Sequence, residues 1–116
     1  MDLNLTGKYA VVSGGAKGIG CAIVNSLSNE GVNVAIIDID SDALDSLVLN
    51  LRSDGVNCLS IVADLTDPEA CNLAINQVLE WSDETLDIVV NNAGVNDSIN
   101  LTDGPEKFQL SLDRNL

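Results

Sequence analysis

Apolar residues gather in four short runs along the chain: Tyr9 to Val12, Val34 to Ile37, Cys58 to Val62 and Leu86 to Val90. None alternates strictly between apolar and polar positions, so each reads as a strand covered on both faces. Between the runs the period lengthens. Ile19, Ile23 and Leu27 recur every four residues, and Gly31 follows as a C-terminal stop. Leu44, Leu47, Val48 and Leu51 form a second helical stripe, closed by Asp54-Gly55. A third comprises Cys71, Ile75, Val78 and Leu79. It opens on Thr66-Asp67-Pro68-Glu69, which leaves two starts open: Thr66 with Glu69 as a capping box, or Asp67 as the cap with Pro68 in the first turn. A loop over Val95 to Asp103 then leads to a last helix carrying Phe108 and Leu112.

Strands alternating with helices at this spacing predict an α/β, doubly wound parallel sheet with right-handed crossovers. With no repeat or linker, residues 1–116 read as one domain. The order stops after a fourth strand and its following helix, so that domain is expected to be incomplete. A chain of this length is short for a complete enzyme.

The first strand runs directly into Ser13-Gly14-Gly15-Ala16-Lys17-Gly18-Ile19-Gly20, and a helix follows. That order suits a pyrophosphate. Glycines allow a sharp turn and a close approach of backbone to phosphate, one of them lets the helix lie near the sheet, and the helix start offers unpaired N–H groups and a positive dipole end. The second strand ends at Asp38, whose carboxylate suits the adenosine ribose hydroxyls and would repel a 2′-phosphate. NAD is therefore expected over NADP. Lys17 is a flexible, solvated cation, and a carboxylate held close to the ribose should outweigh it.

The Gly-x-x-x-Gly-x-Gly spacing resembles the signature of the short-chain dehydrogenases/reductases, with Ser13 where the family usually has Thr. A second match is Asn91-Asn92-Ala93-Gly94 at the end of the fourth run, which is similar to the family motif that stabilises the central sheet and lines the cofactor pocket. The resemblance covers essentially the whole chain. It implies a Rossmann-type fold holding a dinucleotide through Ser13 to Gly20, Asp38, Asn92, Ala93 and Gly94. It further implies that Asp64 contacts the adenine amino group, that Leu65 packs its backbone on the ring, and that Asn115 organises a proton-relay water. On the residues alone, Asp64 is equally a turn residue and Asn115 an exposed terminal one.

The implied activity is hydride transfer between nicotinamide and an alcohol or carbonyl. Family catalysis uses a Tyr with a Lys four residues on, and here the one tyrosine, Tyr9, is followed at that distance by Ser13. The chain alone is therefore expected to be inactive, with a small-molecule substrate engaged only in a full-length form. The rival reading is a non-catalytic nucleotide-binding or interaction module; an FMN-binding flavodoxin-like unit would leave Asp38 without a purpose. Short matches at Met1 to Leu5, Gly94 to Asp97 and Leu112 to Leu116 are similar to sugar dehydrogenases of the L-fucose type.

Composition narrows the partners. Eighteen acidic residues against five basic ones give a net charge of −13, which disfavours nucleic acid and anionic membrane. No leader or spanning segment is evident, so a cytoplasmic location is expected. With no histidine and three scattered cysteines (Cys21, Cys58, Cys71), no metal site is expected and the thiols read as reduced and buried. An unpaired outer edge on the fourth strand would favour self-association.

Overall fold

The structure, a computed structural model, describes residues 4–92. The expected loop from Val95, the last helix, Ala93, Gly94 and Asn115 lie outside the described residues. Seven elements follow in strict alternation: β1 (Tyr9–Ser13), α1 (Gly18–Asn29), β2 (Asn33–Asp38), α2 (Ser41–Ser53), β3 (Cys58–Val62), α3 (Pro68–Trp81) and β4 (Leu86–Asn91). The strands form one parallel sheet in the order β3-β2-β1-β4.

That order decides where the helices lie. The chain steps outward from β1 to β3, then reverses to place β4 on the far side of β1. Right-handed crossovers therefore put α1 and α2 on one face and α3 on the other. Two cores result. Ala10, Val12, Val34 and Ile36 pack beneath Val24 of α1 and the α2 stripe Leu44, Leu47, Val48 and Leu51. On the opposite face Val11, Ala35, Ile37 and Ile61 pack beneath Cys71, Ala74, Ile75 and Val78 of α3. Burial on both faces is why the strand sequences do not alternate.

The helix starts and stops are local chemistry. α2 is capped by Asp40, whose side chain accepts from the Ala43 amide. α3 resolves the open choice in favour of Asp67, which accepts from the Glu69 amide with Pro68 following, while Thr66 turns back to Asp64. Gly31 and Gly55, just past α1 and α2, adopt φ of +82° each, the left-handed turn that glycine ends a helix with.

The α1 stripe needs correction. Gly20 and Val24 are its buried positions, Ile23 and Leu27 pack at the margin, and Ile19 is 73% exposed. The buried face is turned by about one residue, roughly 100°, because Gly20 has no side chain and lets the helix backbone descend onto the turn below it. A second correction concerns the thiols: Cys58 and Cys71 are buried, but Cys21 is only partly so.

Among the described residues β4 has β1 as its strand neighbour, and no helix is long and apolar enough to cross a membrane. The self-association expected from an open β4 edge turns on residues outside the described span.

Candidate functional site

The sheet order reverses between β1 and β4, and the carboxyl ends of those two strands flank the crevice where open α/β sheets bind ligands. β1 leaves the sheet at Gly14, which takes φ +66° and donates its N–H to the Ile37 carbonyl at 2.7 Å. Gly15 lies flat on the core: a Cβ there would stand 2.8 Å from Ile36 Cγ2. Ala16 is buried and donates its N–H to Asp38 Oδ2 at 3.0 Å. The turn is thus tied sideways to β2.

α1 begins at Gly18 with Lys17 at its N-cap, and no side chain caps it. A lysine has no acceptor to offer. Cys21 makes the first closing bond, to the Lys17 carbonyl at 3.3 Å; among the described residues the amides of Gly18, Ile19 and Gly20 have no acceptor. The other two helices end their amides on Asp40 and Asp67. Among the described helices α1 alone presents a bare positive end, and it does so just past the carboxyl end of β1.

The second Asn-rich signature holds this turn in place. The Ser13 hydroxyl, fully buried, donates to Asn91 Oδ1 at 2.8 Å and accepts from the Asn92 amide at 3.2 Å. The Asn92 side chain donates to the Gly14 carbonyl at 3.2 Å. Gly20 completes the fit, since a Cβ on it would come within 2.1 Å of that same carbonyl oxygen and 2.7 Å of Asn92 Nδ2. Ser13, Gly15 and Gly20 therefore shape the turn from beneath, whereas Lys17, Gly18 and Ile19 face outward. Asn91 was missing from the residues singled out for the pocket; its place in the doubled asparagine was the available signal.

Asp38 stands at the end of β2 and is half-buried. Oδ2 accepts from Ala16 and Oδ1 from the Asp40 amide at 3.0 Å, which leaves acceptor capacity on both oxygens for hydroxyl donors. Lys17 is solvent-exposed, as expected, and it is also paired. Its Nζ lies 3.0 Å from Asp40 Oδ2. That hydrogen bond and charge raise the lysine above its ordinary range, with Asp38 adding to them. Asp40 is lowered, first by the Ala43 amide and then by Lys17.

Asp64 makes a turn: Oδ1 accepts from the Thr66 hydroxyl at 2.6 Å and the Thr66 amide at 3.0 Å, which together hold its carboxyl below the usual range. Leu65 packs against the α3-side core. Between the Asp38 and Asp64 turns two apolar residues are exposed at strand ends, Ile39 at 67% and Val62 at 56%. Ile39 was readable as an apolar residue set between two aspartates after a strand. At the other end of the sheet Tyr9 and Trp81 meet edge to face, with centroids 5.0 Å apart. A depression of about 350 Å³ is lined by Asn76, Leu79, Glu80, Asp83 and Glu84, and its three carboxylates are unsuited to a phosphate.

A parallel 3-2-1-4 sheet with a bare helix start at its reversal point defines a Rossmann-type unit. The chain belongs to the short-chain dehydrogenase family, whose model matches residues 8–116. A short chain dehydrogenase/reductase, dpchG, of Colletotrichum higginsianum is 38% identical over 99 residues, covering 80% of this chain and 34% of that protein. Among solved structures, an L-sorbose reductase from Gluconobacter frateurii complexed with NADPH and L-sorbose is 33% identical with a TM-score of 0.74, covering 82% of this chain and 36% of the other. A blue fluorescent protein from a metagenomic library, in complex with NADPH, is 36% identical with a TM-score of 0.73, covering 79% and 38%. The chain spans about a third of the length of the curated relatives it matches.

Proposed function

We propose that residues 1–116 form one cofactor-binding unit of a nicotinamide-dependent short-chain dehydrogenase/reductase, with NAD favoured over NADP. The observation that carries this is the uncapped start of α1, with amides at Gly18, Ile19 and Gly20 that have no acceptor among the described residues, just past the carboxyl end of β1 where the strand order reverses. A pyrophosphate fits there because it supplies the acceptors and negative charge that the helix end lacks. The two NADPH complexes among the structural neighbours support the cofactor class. Asp38 and the paired state of Lys17 support NAD.

In this reading Gly18, Ile19 and Gly20 bind the pyrophosphate through backbone N–H groups. Asp38 accepts the ribose hydroxyls, Ile39 and Leu65 border the adenine, and Asp64 meets its amino group through the carboxylate oxygen that Thr66 leaves unused. When bound, a nicotinamide dinucleotide supplies the hydride acceptor for an alcohol or the donor for a carbonyl, sugars included. The 116 residues hold no Tyr-x-x-x-Lys, so binding rather than turnover is the activity expected of them. Calorimetric titration tests the reading. Saturable binding with NAD tighter than NADP is expected; NADP binding as tightly or more so would remove the role of Asp38, and no binding of either would remove the function.

A further inference from the structure

This inference rests on the dinucleotide reading and concerns how the site tells the two nicotinamide dinucleotides apart. A 2′-phosphate on the adenosine ribose would lie at the end of β2 beside Asp38, where a basic neighbour normally receives it. Lys17, across the turn, is near enough for the Asp38 charge to act on it. Its Nζ is held 3.0 Å from Asp40 Oδ2.

Asp40 is a well-anchored partner. Its other oxygen accepts from the Ala43 amide at 3.1 Å, capping α2, and its own amide donates to Asp38 Oδ1 at 3.0 Å. The carboxylate that neutralises Lys17 is therefore built into the start of a helix and does not drift with a flexible side chain. With Asp38, Asp40 and Lys17 together, the ribose end keeps a net charge of about −1 although a lysine is present.

We propose that Asp40 is a specificity-determining residue: it engages the Lys17 charge that would otherwise be available to a 2′-phosphate, so that discrimination against NADP comes from an Asp38–Asp40 pair rather than from Asp38 alone. This differs from the role assigned to Asp38, since Asp40 acts on the ligand through Lys17.

The test is a double-variant cycle on the 116-residue chain, with NAD and NADP affinities read by calorimetry for the parent chain, Asp40→Asn, Lys17→Ala and the combination. Asparagine keeps the α2 cap and removes the charge, and Asp40→Ser does the same through a hydroxyl. Asp40→Asn is expected to raise NADP affinity relative to NAD about fivefold at low salt, and Asp40→Ser similarly, with most of the gain gone at about 0.5 M salt. Lys17→Ala should reduce NADP affinity at least about threefold more in the Asp40→Asn background than in the parent. Equal losses in both backgrounds, or an unchanged preference in both Asp40 variants, would overturn the proposal while NAD binding still stood. A parent chain that binds neither dinucleotide would overturn the underlying reading as well.

Discussion

The Ser13 hydroxyl donates to Asn91 Oδ1 at 2.8 Å, a bond that spans 78 positions of sequence and fastens the end of β1 to the end of β4. The same oxygen accepts from the next amide along, at Asn92. One buried hydroxyl thus joins the glycine turn to the asparagine motif on the neighbouring strand.

Removing it should be felt. Ser13→Ala removes the buried hydroxyl that donates to Asn91 Oδ1, while the Asn92 amide keeps the Ser13 carbonyl at 3.1 Å as an acceptor; a loss of about 1–3 kcal/mol is expected. Denaturant midpoints of the two chains check this, and an unchanged midpoint would mean water replaces the hydroxyl without cost.

Two glycines of the turn should respond differently. Gly20→Ala drives a Cβ into the Gly14 carbonyl and Asn92, so α1 must lift off the turn; such overpacking costs about 1–3 kcal/mol. It should also abolish dinucleotide binding, because the amides move with the helix. Gly18→Ala meets nothing within 4 Å and bears only its φ of +58°, about 1 kcal/mol. Parallel melts and NAD titrations separate the two, and a Gly20→Ala chain that binds NAD normally would contradict the packing.

Asp38→Ala removes the acceptor for Ala16 and for the ribose. NAD affinity is expected to fall about tenfold, as charge-assisted hydrogen bonds are each worth roughly 1.5–3 kcal/mol before water replaces part of them. NADP affinity should fall less, since a repulsive charge leaves with the hydrogen bonds. Titration of both cofactors reads the ratio, and an equal fall in both would assign Asp38 to the turn alone.

Acid should weaken the fold in a defined window. Asp40 and Asp64 are both lowered from an ordinary 3.8, the first chiefly by the Ala43 amide and the second chiefly by the Thr66 hydroxyl. The unfolded chain then takes up protons first, so these groups add stability above 3.8 that is lost as pH falls through their lower folded values. At the alkaline end the signs reverse. Burial raises the Cys58 thiol above 9.0, and Asp40 raises Lys17 above 10.5; their contributions are complete below those values and lost as pH rises through the folded ones. Denaturant midpoints across pH 2–11 should show a neutral plateau. Thr66→Val should flatten the acid limb, and an unaltered limb would remove Asp64 from it.

The sequence by itself determined the elements and their order, because strand and helix periods, the Gly31 and Gly55 stops, and the run from β1 into glycines are encoded within a few residues. Leu44, Leu47, Val48 and Leu51 are buried as their spacing requires. Only the tertiary structure decided what depends on distant partners. Ser13 meets Asn91 because handed crossovers seat β4 against β1. Lys17 is neutralised because β2 brings the Asp40 cap beside the turn. Ile19 faces outward because Gly20 lets α1 settle against Gly14 and Asn92. Each is a contact between residues far apart in the chain or across a turn, whose energy depends on how the layers pack, and no local period carries that information.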